Sequence, residues 1–198
     1  MVLTPESLPP ALRDGIIYQE LTDGQALFQQ GDPASALFVV TTGRLRLFRY
    51  NTEGKMVTFY VARAGESFTE VALFSDVYTD NAVAEVASRV AIYPKRLLLS
   101  ALREHPNLAE DFITLLVSKI HALKFRLELR DIRSAHKRVL QYLRHLAQPD
   151  SEMSVDLDQP LGEIALRSWP HPGNTSVSSS AVGVRGCDRY QRIILRNS

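Results

Sequence analysis

The chain contains one cysteine, Cys187, among its 198 residues, and residues 1–104 contain no histidine. A single thiol excludes a disulfide within the chain, a zinc site built from several cysteines and a cysteine-ligated iron–sulfur cluster. The missing histidines argue against a histidine-rich metal centre in the N-terminal half. We therefore expect no metal and no resident cofactor.

Long apolar runs and enzyme motifs are also missing. No apolar stretch reaches the length of a membrane span, and no basic start leads into an apolar run, so we expect a cytoplasmic protein without a membrane partner. A P-loop, a Gly-rich dinucleotide fingerprint, Gly-x-Ser-x-Gly and His-Glu-x-x-His are all lacking, and we expect no enzyme. The net charge is only +1, so any basic surface must be local.

The segment from Asn107 to Ile132 is free of Gly and Pro, although the chain has ten of each. Asn107 is a good N-cap, and Glu110 stands where a capping-box acid belongs. Apolar residues recur at steps of three and four, which predicts an amphipathic helix of about seven turns. The spacing approaches a coiled-coil seam, so we expect a dimer spine; a core helix within one domain is the alternative. The expected interface residues are Phe112, Leu116, Ile120, Leu123 and Leu127.

Short apolar runs separated by turn residues fill the stretch between Ile17 and Pro94, which predicts a β-sandwich or jelly roll. After the long helix, Ala135–Ala147 has a helical pattern, Val155–Leu157 suits a short strand, and Pro160–Leu166 opens another helix. The fold class is therefore α+β. We expect a β domain over 1–106, the dimerisation helix over 107–133 and a small third part over 134–198. The predicted strands are Ile17–Leu21, Ala26–Phe28, Ala36–Val40, Met56–Ala62, Ala82–Val86 and Val90–Tyr93. A further half-exposed strand is indicated by the alternation of Leu45 and Leu47 with Arg44, Arg46 and Arg49.

Three stretches resemble the CRP/FNR family of transcription regulators. Residues 24–50, GQALFQQGDPASALFVVTTGRLRLFRY, are similar to the start of the family's cyclic-nucleotide-binding β-roll. Residues 65–86, GESFTEVALFSDVYTDNAVAEV, resemble its effector-pocket segment, and residues 130–147 its hinge and the first helix of its winged helix-turn-helix. The resemblance implies an effector-responsive homodimeric DNA-binding regulator, in which residues 134–198 are a winged helix-turn-helix DNA-binding domain that is abnormal after Ala165. The alternative is a cyclic-nucleotide-domain-like sensor or dimerisation protein without specific DNA binding.

The resemblance also implies an effector pocket. Nucleotide-binding members carry Gly-Glu and, further on, Arg-Ser/Thr-Ala, and that arginine forks onto the cyclic phosphate. Here Thr69 replaces the glycine, Glu70 keeps the acid, and Asp80 and Asn81 replace the arginine and the serine or threonine. The polar pair that meets the purine is replaced by Leu123 and Lys124 on the long helix. Because an aspartate repels a phosphate, we predict that cyclic AMP does not bind tightly and that the small-molecule effector is a different one.

Two further sensing modes follow from single residues. His121 on the long helix is a candidate haem ligand, although a lone helical histidine is more often an ordinary side chain. Phe68, Phe74 and Tyr78 give the pocket segment a loose likeness to family members that respond to nitrogen oxides.

The output end departs from the family. The resemblance places His136 and Lys137 where family members touch DNA phosphates. After Ala165 the chain reads LRSWPHPGNTSVSSSAVGVRGCDRYQRIILRNS, in which we recognise neither a recognition helix nor a wing. A reading-frame shift near residues 166–168 explains the departure, and a divergent tail with its own role is the rival explanation.

Overall fold

The structure, a computed structural model, describes residues 3, 5–132, 137, 141–142, 154–157, 183–187 and 190–194. The chain divides into two compact units, Met1–Val117 and Ser118–Ser198. Within the described ranges, no helix has the length and apolar character that crossing a bilayer requires.

The N-terminal unit is a roll of two four-stranded antiparallel sheets. We call the sheet with order β1-β8-β3-β6 the first sheet and the sheet with order β2-β7-β4-β5 the second sheet. A 3-10 turn (Pro5–Ser7) and helix α1 (Pro10–Asp14) precede them, and a second 3-10 turn covers Glu70–Phe74. The strands are β1 Ile17–Leu21, β2 Ala26–Phe28, β3 Ala36–Thr42, β4 Arg44–Tyr50, β5 Met56–Arg63, β6 Ser67–Phe68, β7 Asn81–Ala84 and β8 Ser88–Pro94.

One core lies between the two sheets. Aromatic rings fill much of it: Phe38 stacks on both Phe28 and Phe68 with centroid separations of 5.4 Å, and Tyr78 stacks on Phe28 at 4.1 Å. The hydroxyl of Tyr78 donates to the Ala36 carbonyl at 3.2 Å, so its one polar atom is satisfied inside the core.

A second core covers the outer face of the first sheet. Leu37 and Val39 of β3 lie in it together with Tyr93 of β8, whose hydroxyl donates to the Leu3 carbonyl at 2.8 Å. Helices α1, α2 (Lys95–Glu104) and α3 (Pro106–Asp131) supply the opposite side with Leu12, Leu98, Ala101, Leu108 and Phe112. The first sheet is therefore covered by apolar side chains on both faces.

Helix α3 begins and ends one residue earlier than the sequence predicts. The Ala109 amide donates to the His105 carbonyl at 3.1 Å, which makes Pro106 the first helical residue. Proline is favoured there because its missing N–H has no partner in a helix anyway. The expected N-cap, Asn107, is therefore wrong, since it lies inside the first turn.

The C-terminal unit contains a three-stranded antiparallel sheet with order β10-β11-β9. Its strands are β9 (Ser154–Leu157), β10 (Gly183–Cys187) and β11 (Tyr190–Ile194). Strand β9 confirms the strand predicted at Val155–Leu157. Strands β10 and β11 pair across a two-residue connection in the stretch where the sequence indicated no wing. The helix predicted at Pro160–Leu166 and the absence of a recognition helix fall outside the described residues.

Candidate functional site

Thr69 has a left-handed backbone, with φ 67° and ψ 29°, immediately before the 3-10 turn that begins at Glu70. Within the described residues it is the one non-glycine residue with positive φ. A threonine in this conformation is strained because its branched Cβ crowds the backbone, whereas glycine adopts it freely. This is the position at which the resemblance implies a glycine, the residue that adopts such a backbone without strain.

Glu70, next to it, is half-buried and its carboxylate accepts a hydrogen bond from the Ser67 hydroxyl at 2.6 Å. Glu66 is also half-buried and accepts from the Arg63 amide at 2.9 Å and from the Tyr60 hydroxyl at 3.1 Å. Both acids are therefore held by neighbouring donors of the β5–β6 region.

Asp80 precedes strand β7, and its carboxylate forms an ion pair with the guanidinium of Arg49 on β4. The Thr79 hydroxyl donates to the second carboxylate oxygen at 3.0 Å. The Asp80 side chain is only 16% exposed, whereas that of Arg49 is 53% exposed. The Arg49 guanidinium also lies 5.7 Å from the ring centroid of Phe59, within the range of a cation–π contact. The carboxylate is thus occupied by partners from its own chain.

The side chain of Asn81 links segments of the second sheet. Its side-chain amide donates to the Phe48 carbonyl at 3.3 Å, and its side-chain oxygen accepts from the Gln30 amide at 3.1 Å. These bonds connect β7 to β4 and to the residues that follow β2. The geometry therefore gives Asn81 a structural use that the sequence could not reveal.

The structure brings Asp80 together with Arg49, and it brings Glu70 together with Ser67. Leu123 and Lys124 lie on the part of α3 that belongs to the C-terminal unit, and both are exposed. Sequence reasoning missed Arg49 as a site residue. The alternation of arginines along β4 was visible, but nothing local indicates that Arg49 meets Asp80 across the sheet.

Helix α3 carries an exposed apolar stripe. Ile113, Val117, Ile120, Leu123 and Leu127 are each between 45% and 58% exposed. Phe112, expected in the dimer interface, is instead 4% exposed in the second core, and Leu116 packs partly against that core. Ile113 and Val117 therefore take the place of these two residues on the open side of the helix.

The remaining candidate residues from the sequence do not form one site. His121 is exposed on α3, and within the described residues no cluster of histidine, cysteine and acidic side chains could hold a metal ion. Phe68 and Tyr78 are buried in the core between the sheets, whereas Phe74 is 80% exposed, so these three rings do not line one site. Lys137 is helical and exposed, and His136 lies outside the described residues.

Comparison with known proteins finds relatives of the roll. Residues 18–105 match the family model of the Cyclic nucleotide-binding domain. The chain is 32% identical over 115 residues to a lysophospholipase of Neurospora crassa, a match that covers 57% of this chain and 7% of the lysophospholipase. It is 30% identical over 130 residues to the Cyclic AMP receptor protein of Thermus thermophilus, covering 62% of this chain and 57% of that protein. The chain thus spans a small fraction of the first relative and somewhat more than half of the second.

A solved structure extends the likeness. The Catabolite Activator Protein of Thermus thermophilus is 25% identical, with a TM-score of 0.53, and the match covers 83% of this chain and 80% of that one. The two antiparallel sheets and the helices that follow them agree with these comparisons: residues 18–105 resemble a cyclic nucleotide-binding domain, and the chain has a catabolite activator among its structural neighbours.

Proposed function

We propose that the chain is an effector-responsive, homodimeric, DNA-binding transcription regulator of the CRP/FNR type, and that its β-roll does not respond to cyclic AMP. The domain match and the likeness to the Thermus regulator support the regulator assignment. The protein acts in the cytoplasm and is not an enzyme. The lysophospholipase likeness carries no enzyme function over, because it covers 7% of that protein.

The Asp80–Arg49 ion pair is the observation that carries the ligand assignment. A cyclic phosphate needs a cation at this point of the pocket, and a bidentate guanidinium suits it best. At the position that the resemblance assigns to the phosphate-binding arginine, the chain has the largely buried carboxylate of Asp80, which is paired with the Arg49 guanidinium. An approaching phosphate meets repulsion from Asp80 and must separate Arg49 from its partner. Both terms oppose the binding of cyclic nucleotides.

Isothermal titration with cyclic AMP tests this assignment. We expect no binding at micromolar nucleotide for the wild-type protein. The double variant Asp80→Arg with Thr69→Gly introduces the family's guanidinium and glycine. We expect it to bind cyclic AMP at least about tenfold more tightly, which corresponds to the free energy of one charge-assisted hydrogen bond. Asp23→Arg, a change of the same charge in an exposed turn, serves as the control. Micromolar affinity of the wild type would refute the proposal.

The exposed stripe of α3 supports homodimerisation. The apolar positions follow steps of four, three, three and four residues from Ile113 to Leu127, as in the seam of a two-helix coiled coil. Five half-exposed aliphatic side chains on one helix face are costly in water, and a second copy presents the same stripe.

Light scattering coupled to size exclusion tests the dimer. The double variant Ile120→Asp with Leu123→Asp places charges at the centre of the stripe, and we expect the dissociation constant to rise at least about a hundredfold. Ala122→Asp changes an exposed residue between them and off the stripe, and this variant should stay dimeric. A dimeric double variant would place the interface elsewhere.

The three-stranded sheet of the C-terminal unit supports a winged-helix output. Its last strand, β11, lies between β9 and β10, and Arg185 and Arg192 are register partners in the β10–β11 hairpin. We expect weak or non-specific DNA binding by this chain, with the steep salt dependence of phosphate contacts. A mobility-shift titration against random duplexes at two salt concentrations tests this. Tight binding to one sequence would refute the weak binding expected from the tail after Ala165 and would agree with a regulator whose DNA-binding domain is intact. Sequencing the gene decides between a frame shift and a divergent tail.

A further inference from the structure

The outer face of the second sheet carries arginines at alternate positions of strand β4. In β4 the inward residues Leu45 and Leu47 are buried, so Arg44, Arg46 and Phe48 project to the opposite side. Arg46 lies between Val83 of β7 and Val61 of β5 in the register, and both valines are half-exposed. We call the surface formed by Arg44, Arg46, Phe48, Val61, Val83 and Glu85 the arginine face.

One carboxylate serves two guanidiniums on this face. The Nε atoms of Arg44 and Arg46 lie 3.1 and 3.6 Å from the two carboxylate oxygens of Glu85. Both Nε atoms are buried, and neither makes a hydrogen bond. Arg63 stands opposite Arg44 in the register and has contacts of its own. Counting Arg44, Arg46 and Glu85 alone, the face has an unbalanced positive charge.

The two arginines are held in place while their side chains stay open to solvent. The Arg46 guanidinium lies 5.8 Å from the ring centroid of Phe48, and the side chains of Arg44 and Arg46 are 38% and 33% exposed. Positioned guanidiniums lose little conformational entropy when they bind an anion. Arginine next to aromatic and aliphatic side chains is also the composition of protein interfaces rather than of ordinary surface.

We propose that the arginine face docks an acidic segment of a partner protein, whose carboxylates pair with Arg44 and Arg46 while its apolar groups rest on Val61 and Val83. The ion pairs with Glu85 show that both guanidiniums can pair with a carboxylate. A nucleic acid fits less well, because Glu85 repels a phosphate backbone and a face with so few cations cannot neutralise a run of phosphates.

Fluorescence anisotropy with labelled hexaglutamate at moderate salt tests the proposal on the full chain. The double variant Arg44→Glu with Arg46→Glu should bind the peptide about tenfold more weakly or worse, because two attractive contacts become repulsive. Glu85→Gln removes the internal competitor and should bind more tightly than wild type, an effect in the opposite direction from any damage to the fold. Circular dichroism verifies that each variant is folded.

Arg96→Glu with Arg103→Glu is the matched control, since it makes the same charge change at two exposed residues of α2. Its affinity should stay within about twofold of wild type at moderate salt, where distant charges are screened. Equal weakening by both double variants, or no gain with Glu85→Gln, would overturn the proposal. A single-stranded oligonucleotide that binds the face more tightly than hexaglutamate would also overturn it, in favour of nucleic acid.

Discussion

Strands β3 and β4 are neighbours in the chain but belong to different sheets. The first five residues of β3, Ala36 to Val40, are all buried, with Leu37 and Val39 toward the helices and the others toward the inter-sheet core. In β4 the residues from Arg44 to Phe48 alternate between half-exposed and buried. The first sheet therefore stabilises the domain on both of its faces, while the second sheet leaves one face for binding.

The ion pairs of Asp80 and Glu85 follow the same division. Asp80, Arg49 and the arginine face all belong to or adjoin strands of the second sheet. A strand covered on both faces cannot carry an unpaired charge without a large desolvation cost, whereas a strand with one open face can. Substitutions in the two sheets should accordingly act on different properties.

The largest contrast is expected between Leu37→Ala and Arg46→Ala. Leu37 is fully buried, so truncation leaves a cavity and should lower the free energy of unfolding by about 2–5 kcal/mol. Arg46 is on the open face and its loss should change stability by less than about 1 kcal/mol. Urea denaturation of both variants measures this contrast, and similar losses would remove the distinction between the sheets.

Replacing the glycine by alanine at two turns should sharpen the comparison of the two sheets. Gly43 connects β3 to β4 with φ +80°, and a Cβ there would lie 2.2 Å from the Ser88 hydroxyl and 2.6 Å from the Ala87 carbonyl oxygen. Gly54, in the β4–β5 hairpin, has φ +75° but open space around it. We expect Gly54→Ala to cost about 1 kcal/mol from backbone strain alone, and Gly43→Ala distinctly more from strain plus overlap. Thermal melts of the two variants should rank them in that order.

Thr69→Gly should raise stability. The glycine removes the strain of the left-handed backbone but adds conformational freedom to the unfolded chain, so we expect a net gain of about 0.5–1 kcal/mol. Chemical denaturation measures it, with Thr58→Gly in extended strand β5 as a control that should destabilise. A loss of stability in Thr69→Gly would mean that the threonine side chain contributes more than the strain costs.

The smallest expected effect is that of Asp80→Asn on stability. The Arg49 side chain of this ion pair is about half-exposed, so water screens the pair. Losing it should lower the free energy of unfolding by about 0.5 kcal/mol or less. The same change should still weaken the repulsion of anions at the proposed effector site. A large loss of stability would show that the pair holds the second sheet together rather than shaping its ligand preference.

Much of the roll could be predicted locally. The bounds of β1 and β2 agree with the prediction, because turn residues such as Gly24 and Gly31, both with positive φ, end the apolar runs. The two-residue strand β6 was missed, since so short a segment has no period of its own. The β10–β11 hairpin was missed because its strands lack strict alternation and their pairing is set by the partner strand β9.

The sequence by itself determined the strand pattern, the long helix and the charge at position 80, since these depend on residue type and spacing along the chain. Only the tertiary structure decided which side chain pairs with that carboxylate. Strand pairing brings Arg49 to Asp80 across 31 positions of sequence, and it places Arg44 and Arg46 around Glu85. Folding onto the second core likewise removes Phe112 from the exposed stripe of α3 and leaves Ile113 on it. Contacts between distant segments depend on sheet register and helix docking, which no local pattern records.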